Sequence, residues 1–185
     1  MLFNKGDKIN NYTVAFQRKK GSYAEDYRVK NEVGKTLFLK LINYSHLNRN
    51  QIDDNGHVIE IEIAKRLNHH NLCKYVDSGS IMINGGQCSY IATEYVSSET
   101  LSQKIIRDRE LSVYEIKVIA KSVLSALQYL HSQTIPVIHN EVTMQNVLFN
   151  LVGGFEDLKL IDFGHARLLN QSPAKPNLNE LNVFC

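Results

Sequence analysis

HNEVTMQN at residues 139–146 and IDFG at residues 161–164 bracket two short β-like pieces, 146–149 and 158–161, with Gly153 and Gly154 between them. Two aliphatic runs joined across paired glycines predict a hairpin. A hairpin brings its ends together, so Asn146 and Asp162 fall on neighbouring loops. An amide oxygen and a carboxylate placed side by side are hard ligands suited to magnesium, which takes few carboxylates and keeps several waters. Such a pair points to chemistry on phosphates, where neutralising charge is the main demand.

Working outward, the stretch before this hairpin is helical. From Ser112 the residues Ile116, Ile119, Ala120, Val123, Leu124, Leu127 and Leu130 form one wide apolar stripe, and Ser112 with Glu115 makes a capping-box start. Further upstream the period is that of strands. Runs at 12–17, 27–30, 36–42, 72–78 and 89–94 are apolar or β-branched and broken by turn residues, and they predict five strands of an antiparallel sheet. Between the third and fourth run, residues 58–67 place Ile59, Ile63 and Leu67 on one face, which predicts a helix beside the sheet. Residues 169–181 are rich in Asn, Pro and Ser and read as loop.

Composition narrows the function classes. The 185 residues carry 43% apolar side chains, enough for a real core, and a net charge of +2 with interspersed charges, which argues against nucleic acid as a partner. Three separated cysteines, Cys73, Cys88 and Cys185, have no CxxC spacing, so neither a disulfide framework nor a thiolate zinc site is indicated. With no signal-peptide pattern and no long apolar run, a cytoplasmic protein without a membrane segment is expected.

Five strands, one helix, a connecting segment, a long helix, then HxExxxxN and DFG is an order that resembles the protein kinase fold, an α+β architecture of two lobes. Other motifs stand in sequence: FLK at 38–40, Glu60 ahead of IEIAKRLNHHNL, a threonine gatekeeper and hinge at TEYV (93–96), and YLH at 129–131. The resemblance covers residue 12 to the end. It implies an N-lobe over residues 1–95 (a five-stranded sheet plus one helix). Residues 96–185 would hold the hinge and a partial C-lobe with catalytic loop, DFG and the start of the activation segment. The run NLNELNVFC at 177–185 looks like the approach to an APE motif, so a fragment of a longer kinase-like protein is expected, with further domains of the same polypeptide beyond it.

For the site, the resemblance implies that Lys40 reaches the α and β phosphates and Glu60 pairs with it. Glu141 stands where the family places the aspartate that accepts the substrate hydroxyl's proton, and Asn146 and Asp162 hold Mg2+. Gly21, Ser22, Tyr23, Lys40, Thr93, Glu94, Val96 and Leu148 would contact ATP, while His139 and Phe163 pack. The expected reaction is ATP-dependent phosphorylation of Ser or Thr hydroxyls on a protein substrate that the residues do not name. A surface ion pair is the plainer reading of Lys40 and Glu60.

The departures from the family pattern are specific. GxGxxG becomes KKGSYA at 19–24, leaving Gly21 alone and Tyr23 at the tip, which weakens the phosphate cradle. The valine that caps adenine becomes Asp26, expected to turn to the rim or pair with a cation, and the alanine two residues before the lysine becomes Phe38. In the catalytic loop Asn140, Glu141 and Thr143 replace the usual arginine, aspartate and lysine, and losing the arginine argues against switching by an activation-loop phosphate. Two rivals to an active protein kinase follow: a pseudokinase that uses the cleft as a switch or scaffold, and a small-molecule phosphotransferase with the same Asn and Asp ligands. His69 and His70 are adjacent and read as loop packing, and Arg18, Lys19 and Lys20 as a solvated hairpin tip or as phosphate contacts.

Overall fold

Leu37, Leu39 and Leu41 alternate with Lys40 and Ile42 along one strand, and all five side chains are buried. A strand buried on both faces belongs to a sheet packed on both sides, and this one also pairs along both edges. The computed structural model describes residues 2–150 and 154–169. Its larger sheet contains β1 (Lys8–Ile9), β2 (Tyr12–Lys20), β3 (Ala24–Lys30), β4 (Thr36–Asn43), β5 (Tyr75–Ile83) and β6 (Gly86–Glu94), in the order β1-β2-β3-β4-β6-β5, with every pairing antiparallel. This corrects the five-strand expectation. The two-residue β1 pairs with the start of β2 and is too short to show an alternating pattern.

One face of the sheet packs Ile9, Tyr12, Val14, Tyr27, Val29, Leu37, Leu39 and Leu41 into a core. The sheet curls enough for Tyr12 on β2 to donate to Asp77 on β5 at 2.8 Å and to meet Tyr90 edge-on at 5.7 Å. The opposite face packs Ala24, Ile42 and Ile91 against Val58, Ile61 and Ala64, the last two belonging to α1 (Ile59–Ala64). That helix is shorter than the apolar pattern through Leu67 suggested. After Ala64 the bonds tighten from i→i+4 to i→i+3, Arg66 to Ile63 and Leu67 to Ala64, so Leu67 stays buried in a closing turn rather than in the helix.

Beyond β6 the chain forms β7 (Ser98–Thr100), α2 (Leu101–Asp108), α3 (Val113–His131), β8 (Val137–Ile138), β9 (Val147–Asn150), β10 (Gly154–Leu160) and β11 (Arg167–Leu168). The expected capping box starts α3: Ser112 Oγ accepts from the Glu115 amide at 3.2 Å, and Glu115 Oε2 accepts from the Ser112 amide at 2.7 Å. Ala126 and Leu130 bury against Val137, Val147, Leu158, Leu160 and Phe163, and the same core takes in Ile59 and Ile63 of α1. Only one flank of the α3 stripe is covered. Ile116 is 52% and Leu124 64% exposed, because no described element packs on that side.

The β9–β10 hairpin is present as expected, and β7 joins it as a third strand. At its end the Ile161 amide donates to the Asn146 carbonyl at 2.9 Å, which sets the two motif loops side by side. Antiparallel β8 and β11 then tie the segment before HNEVTMQN to the segment after IDFG.

Candidate functional site

Lys40 projects from β4 toward α1 because the strand alternation that buries Leu39 and Leu41 on one face sends it to the other. There its Nζ donates to Glu60 Oε1 at 2.8 Å and Oε2 at 3.0 Å, and to Asp162 Oδ1 at 2.8 Å. The Lys40 and Glu60 side chains are only 10% and 9% exposed, so the surface-pair reading fails. Burial acts to lower the Lys40 ammonium, but Glu60 and then Asp162 outweigh it and hold its pKa well above the ordinary lysine value. Burial likewise pushes Asp162 up, and the Lys40 charge, the Lys40 hydrogen bond and the Gly164 amide at 3.1 Å together bring it below the ordinary carboxylate value.

Asp162 sits at φ +67° and Asn140 at φ +63°, left-handed backbone that Asp and Asn tolerate better than most residues. Each is held by specific bonds. Asn140 Nδ2 donates to the His165 carbonyl at 3.0 Å, so it ties the HNEVTMQN loop directly to the segment after DFG. His139 bridges the same two loops: one ring nitrogen lies 3.1 Å from the Ile161 carbonyl and the other accepts from the Glu141 amide at 3.3 Å. A carbonyl only accepts and an amide only donates, so the ring is neutral with its proton on Nε2. Burial pushes its pKa down in the same sense, and Phe163 packs on it at 5.1 Å.

The two oxygen donors are aimed by their own hydrogen bonds. Asn146 Nδ2 donates to the Glu141 carbonyl at 3.0 Å, which fixes the amide and leaves Oδ1 as its acceptor end. Asp162 uses Oδ1 for Lys40 and Gly164, and Oδ2 has no partner among the described residues. One amide oxygen and one carboxylate oxygen on adjacent loops form a donor set that suits magnesium, which keeps most of its waters. Glu141 lies half-buried on the same loop, its backbone pinned from both sides.

Thr93 lies opposite Phe38 across β4 and β6, both half-buried. Glu94 spends its carboxylate on structure, accepting from the Lys74 amide at 2.9 Å and pairing with Lys159 Nζ at 3.2 Å. Val96 follows the end of β6, and Leu148 lies half-buried on β9 between the buried Val147 and Phe149. Gly21 and Ser22 are exposed in the β2–β3 turn, closed by the Gly21 amide to the Ala24 carbonyl at 2.8 Å. Tyr23 does not arch over the cleft but turns into it, its hydroxyl accepting from Lys40 Nζ at 3.2 Å. Arg18 lies over the Tyr95 ring at 6.0 Å. Away from the cleft, His69 stacks on Tyr129 at 4.9 Å, the loop-packing role expected for it.

Asp26 corrects the rim expectation. It is the cross-strand partner of Lys40, so both side chains lie on the cleft face, yet Asp26 makes no ion pair or hydrogen bond among the described residues. Burial raises its pKa against the pull of Lys40, and Asp162 adds to the rise. A raised carboxyl takes its proton more readily in the folded state, so the penalty is absent at low pH and grows as pH rises through the folded value. Asp26→Val should therefore stabilise the protein by about 1 kcal/mol at pH 8 and by less at pH 3, below the ordinary aspartate value. Equal thermal stabilities of the two proteins at both pH values would place Asp26 in solvent.

Lys40 with Glu60, the Asn146 loop with the Asp162 loop, and His139 with Phe163 are thus brought together. Residues 19–185 match the family model of the protein kinase domain. The chain belongs to the protein kinase family. It is 31% identical over 156 residues to the probable serine/threonine-protein kinase nek3 of Dictyostelium discoideum, an alignment that covers 82% of this chain and 13% of that protein. It is 30% identical over 165 residues to the serine/threonine-protein kinase TIO of Arabidopsis thaliana, covering 88% of this chain and 11% of that one. With human serine/threonine-protein kinase WNK4 the identity is 31% over 116 residues, 63% of this chain and 9% of the relative. This kinase domain therefore spans about a tenth of the length of these relatives. Among the described residues no helix is long and apolar enough to cross a membrane.

Proposed function

We propose that this chain is the nucleotide-binding and catalytic part of an ATP-dependent Ser/Thr protein kinase. The observation that carries the reading is the buried Lys40–Glu60–Asp162 cluster beside the oriented Asn146 amide. ATP supplies the phosphoryl group when bound, and Asn146 Oδ1 with Asp162 Oδ2 would hold its magnesium. Lys40 is kept charged and aimed by Glu60, so it presents a fixed positive charge to phosphate oxygens rather than a mobile one. Glu141 has no role in the ion-pair cluster and stands ready to accept a proton from a hydroxyl. The protein-kinase relatives and the retained Lys40, Asn146 and Asp162 support this reading over a scaffold role, which the loss of two loop glycines and the Glu141 exchange would favour. A cytoplasmic location and acceptor hydroxyls on another protein belong to the same proposal.

Calorimetric titration with MgATP tests it. Wild type should bind weakly, because the phosphate loop keeps one glycine and Asp26 lies on the cleft face. Asp162→Asn should reduce affinity by roughly tenfold or more, since it replaces a charged metal ligand with a neutral amide and turns a charge-assisted bond to Lys40 into a weaker one. Identical heats for the two proteins with magnesium present would end the ligand assignment.

A further inference from the structure

Lys40 has three N–H donors and four oxygens around them: both Glu60 oxygens, Asp162 Oδ1 and the Tyr23 hydroxyl. Its hydrogen-bonding capacity is full. A phosphate oxygen can reach the ammonium only by displacing one of these acceptors. Charge-assisted bonds to carboxylates are the stronger ones, and the Tyr23 contact at 3.2 Å is both the longest and the only neutral one. Tyr23 is also the partner with a way out. It sits beside exposed Gly21 and Ser22 at the tip of a turn.

The Tyr23 ring lies 5.2 Å from Lys40 Nζ, and its hydroxyl rests on Gly164 so closely that a Cβ added there would come within 1.8 Å of it. The same added atom would be 3.1 Å from Asp162 Oδ1 and 3.2 Å from Lys40 Nζ. The phenol therefore fills the space bounded by Lys40, Asp162 and Gly164, and the missing side chain of Gly164 is what admits it. Asn43 holds the Tyr23 carbonyl at 3.0 Å, which sets the main chain so that the ring points inward. Burial and the Glu60 charge keep the phenol protonated well past the ordinary tyrosine value.

Resting on the nucleotide-binding reading above, we propose that Tyr23 is a built-in plug: it occupies the phosphate end of the cleft, and nucleotide enters only when the phenol swings out of its contacts with Lys40 and Gly164. The affinity measured for wild type is then the intrinsic affinity reduced by the fraction of molecules with the plug out. A bond to a charged group of this kind corresponds to about tenfold or more in that fraction.

The test is MgATP titration of wild type, Tyr23→Phe, Tyr23→Ala and Asp162→Asn, together with the rate at which trinitrobenzenesulfonate modifies Lys40 in the absence of nucleotide. Tyr23→Phe keeps the ring and loses the hydrogen bond, so it should bind severalfold tighter; Tyr23→Ala should bind about tenfold tighter and label severalfold faster at Lys40. If both Tyr23 variants bind no tighter than wild type while Asp162→Asn binds worse, the plug is refuted and the nucleotide reading stands. An unchanged labelling rate in Tyr23→Ala refutes the plug on its own. If no protein in the set binds MgATP, the nucleotide reading falls and the plug falls with it.

Discussion

Lys40→Met should lower the stability of the folded protein by about 3–5 kcal/mol, the range found when one partner of a buried ion pair is removed. The side chains of Lys40 and Glu60 are nearly inaccessible, and the single ammonium stands among Glu60, Asp162 and Asp26. Removing it leaves Glu60 in a low-dielectric site with two carboxylates nearby and no cation. Changing Glu60 to Gln in the same molecule should restore most of the loss, since a neutral amide next to methionine no longer strands a charge. Urea unfolding of wild type, the two single variants and the double variant measures the coupling. If each single change costs under about 1 kcal/mol, the pair is solvated and its burial has no energetic weight.

The pH dependence of the same cluster has a defined sense. Asp162 lies below its ordinary value in the folded state, so its contribution is complete above the unfolded carboxyl range near pH 4 and is withdrawn as pH falls through the folded value. Lys40 lies above its ordinary value, so its contribution is complete below about pH 10 and is withdrawn only as pH rises through the higher folded value. Burial raises Glu60 against the pull of Lys40, so within those limits the cluster is fully charged only at pH values above the raised Glu60 value. In Lys40→Met the acid limb due to Asp162 should shrink, because the ammonium that depresses its pKa is gone.

Much of this arrangement was legible from residue order. The run at 36–42 read as a strand and the FLK resemblance singled out Lys40 on it, while the glycine-joined runs around 153 and 154 implied the hairpin that brings Asn146 beside Asp162. What escaped had weaker signals. Helix α2 reads LSQKIIRD, too polar for an apolar stripe, yet Thr100 and Gln103 form a capping box at 3.1 and 2.9 Å that the spacing T-x-x-Q would have revealed. Strands β1, β7, β8 and β11 are two or three residues long, and such pairings depend on tertiary contacts rather than on pattern. The inward turn of Tyr23 and the cleft-facing Asp26 depend on strand register and on the empty side of Gly164, which no single-chain periodicity encodes. The loop reading for residues beyond 169 and the approach to an APE motif lie outside the described residues.

Glu141→Gln should lower the turnover number by about 10² to 10⁴, the whole contribution of a positioned general base, with little change in KM for ATP. The expectation follows from how the residue is held. Its amide donates to His139 and its carbonyl accepts from Asn146, so the backbone is fixed while the carboxylate is left half-exposed. A glutamate in that place carries its carboxylate one methylene farther than the aspartate the family uses, and a misplacement of about 1 Å can cost roughly a hundredfold. Glu141→Asp should accordingly preserve or raise turnover, whereas an amide cannot take the proton at either length. Steady-state transfer from MgATP to a serine-containing peptide, measured for all three proteins, separates the cases. A Gln variant as fast as wild type would remove Glu141 from the chemistry, and an Asp variant slower than the Gln variant would show that the loop is built around the longer side chain for packing rather than for proton transfer.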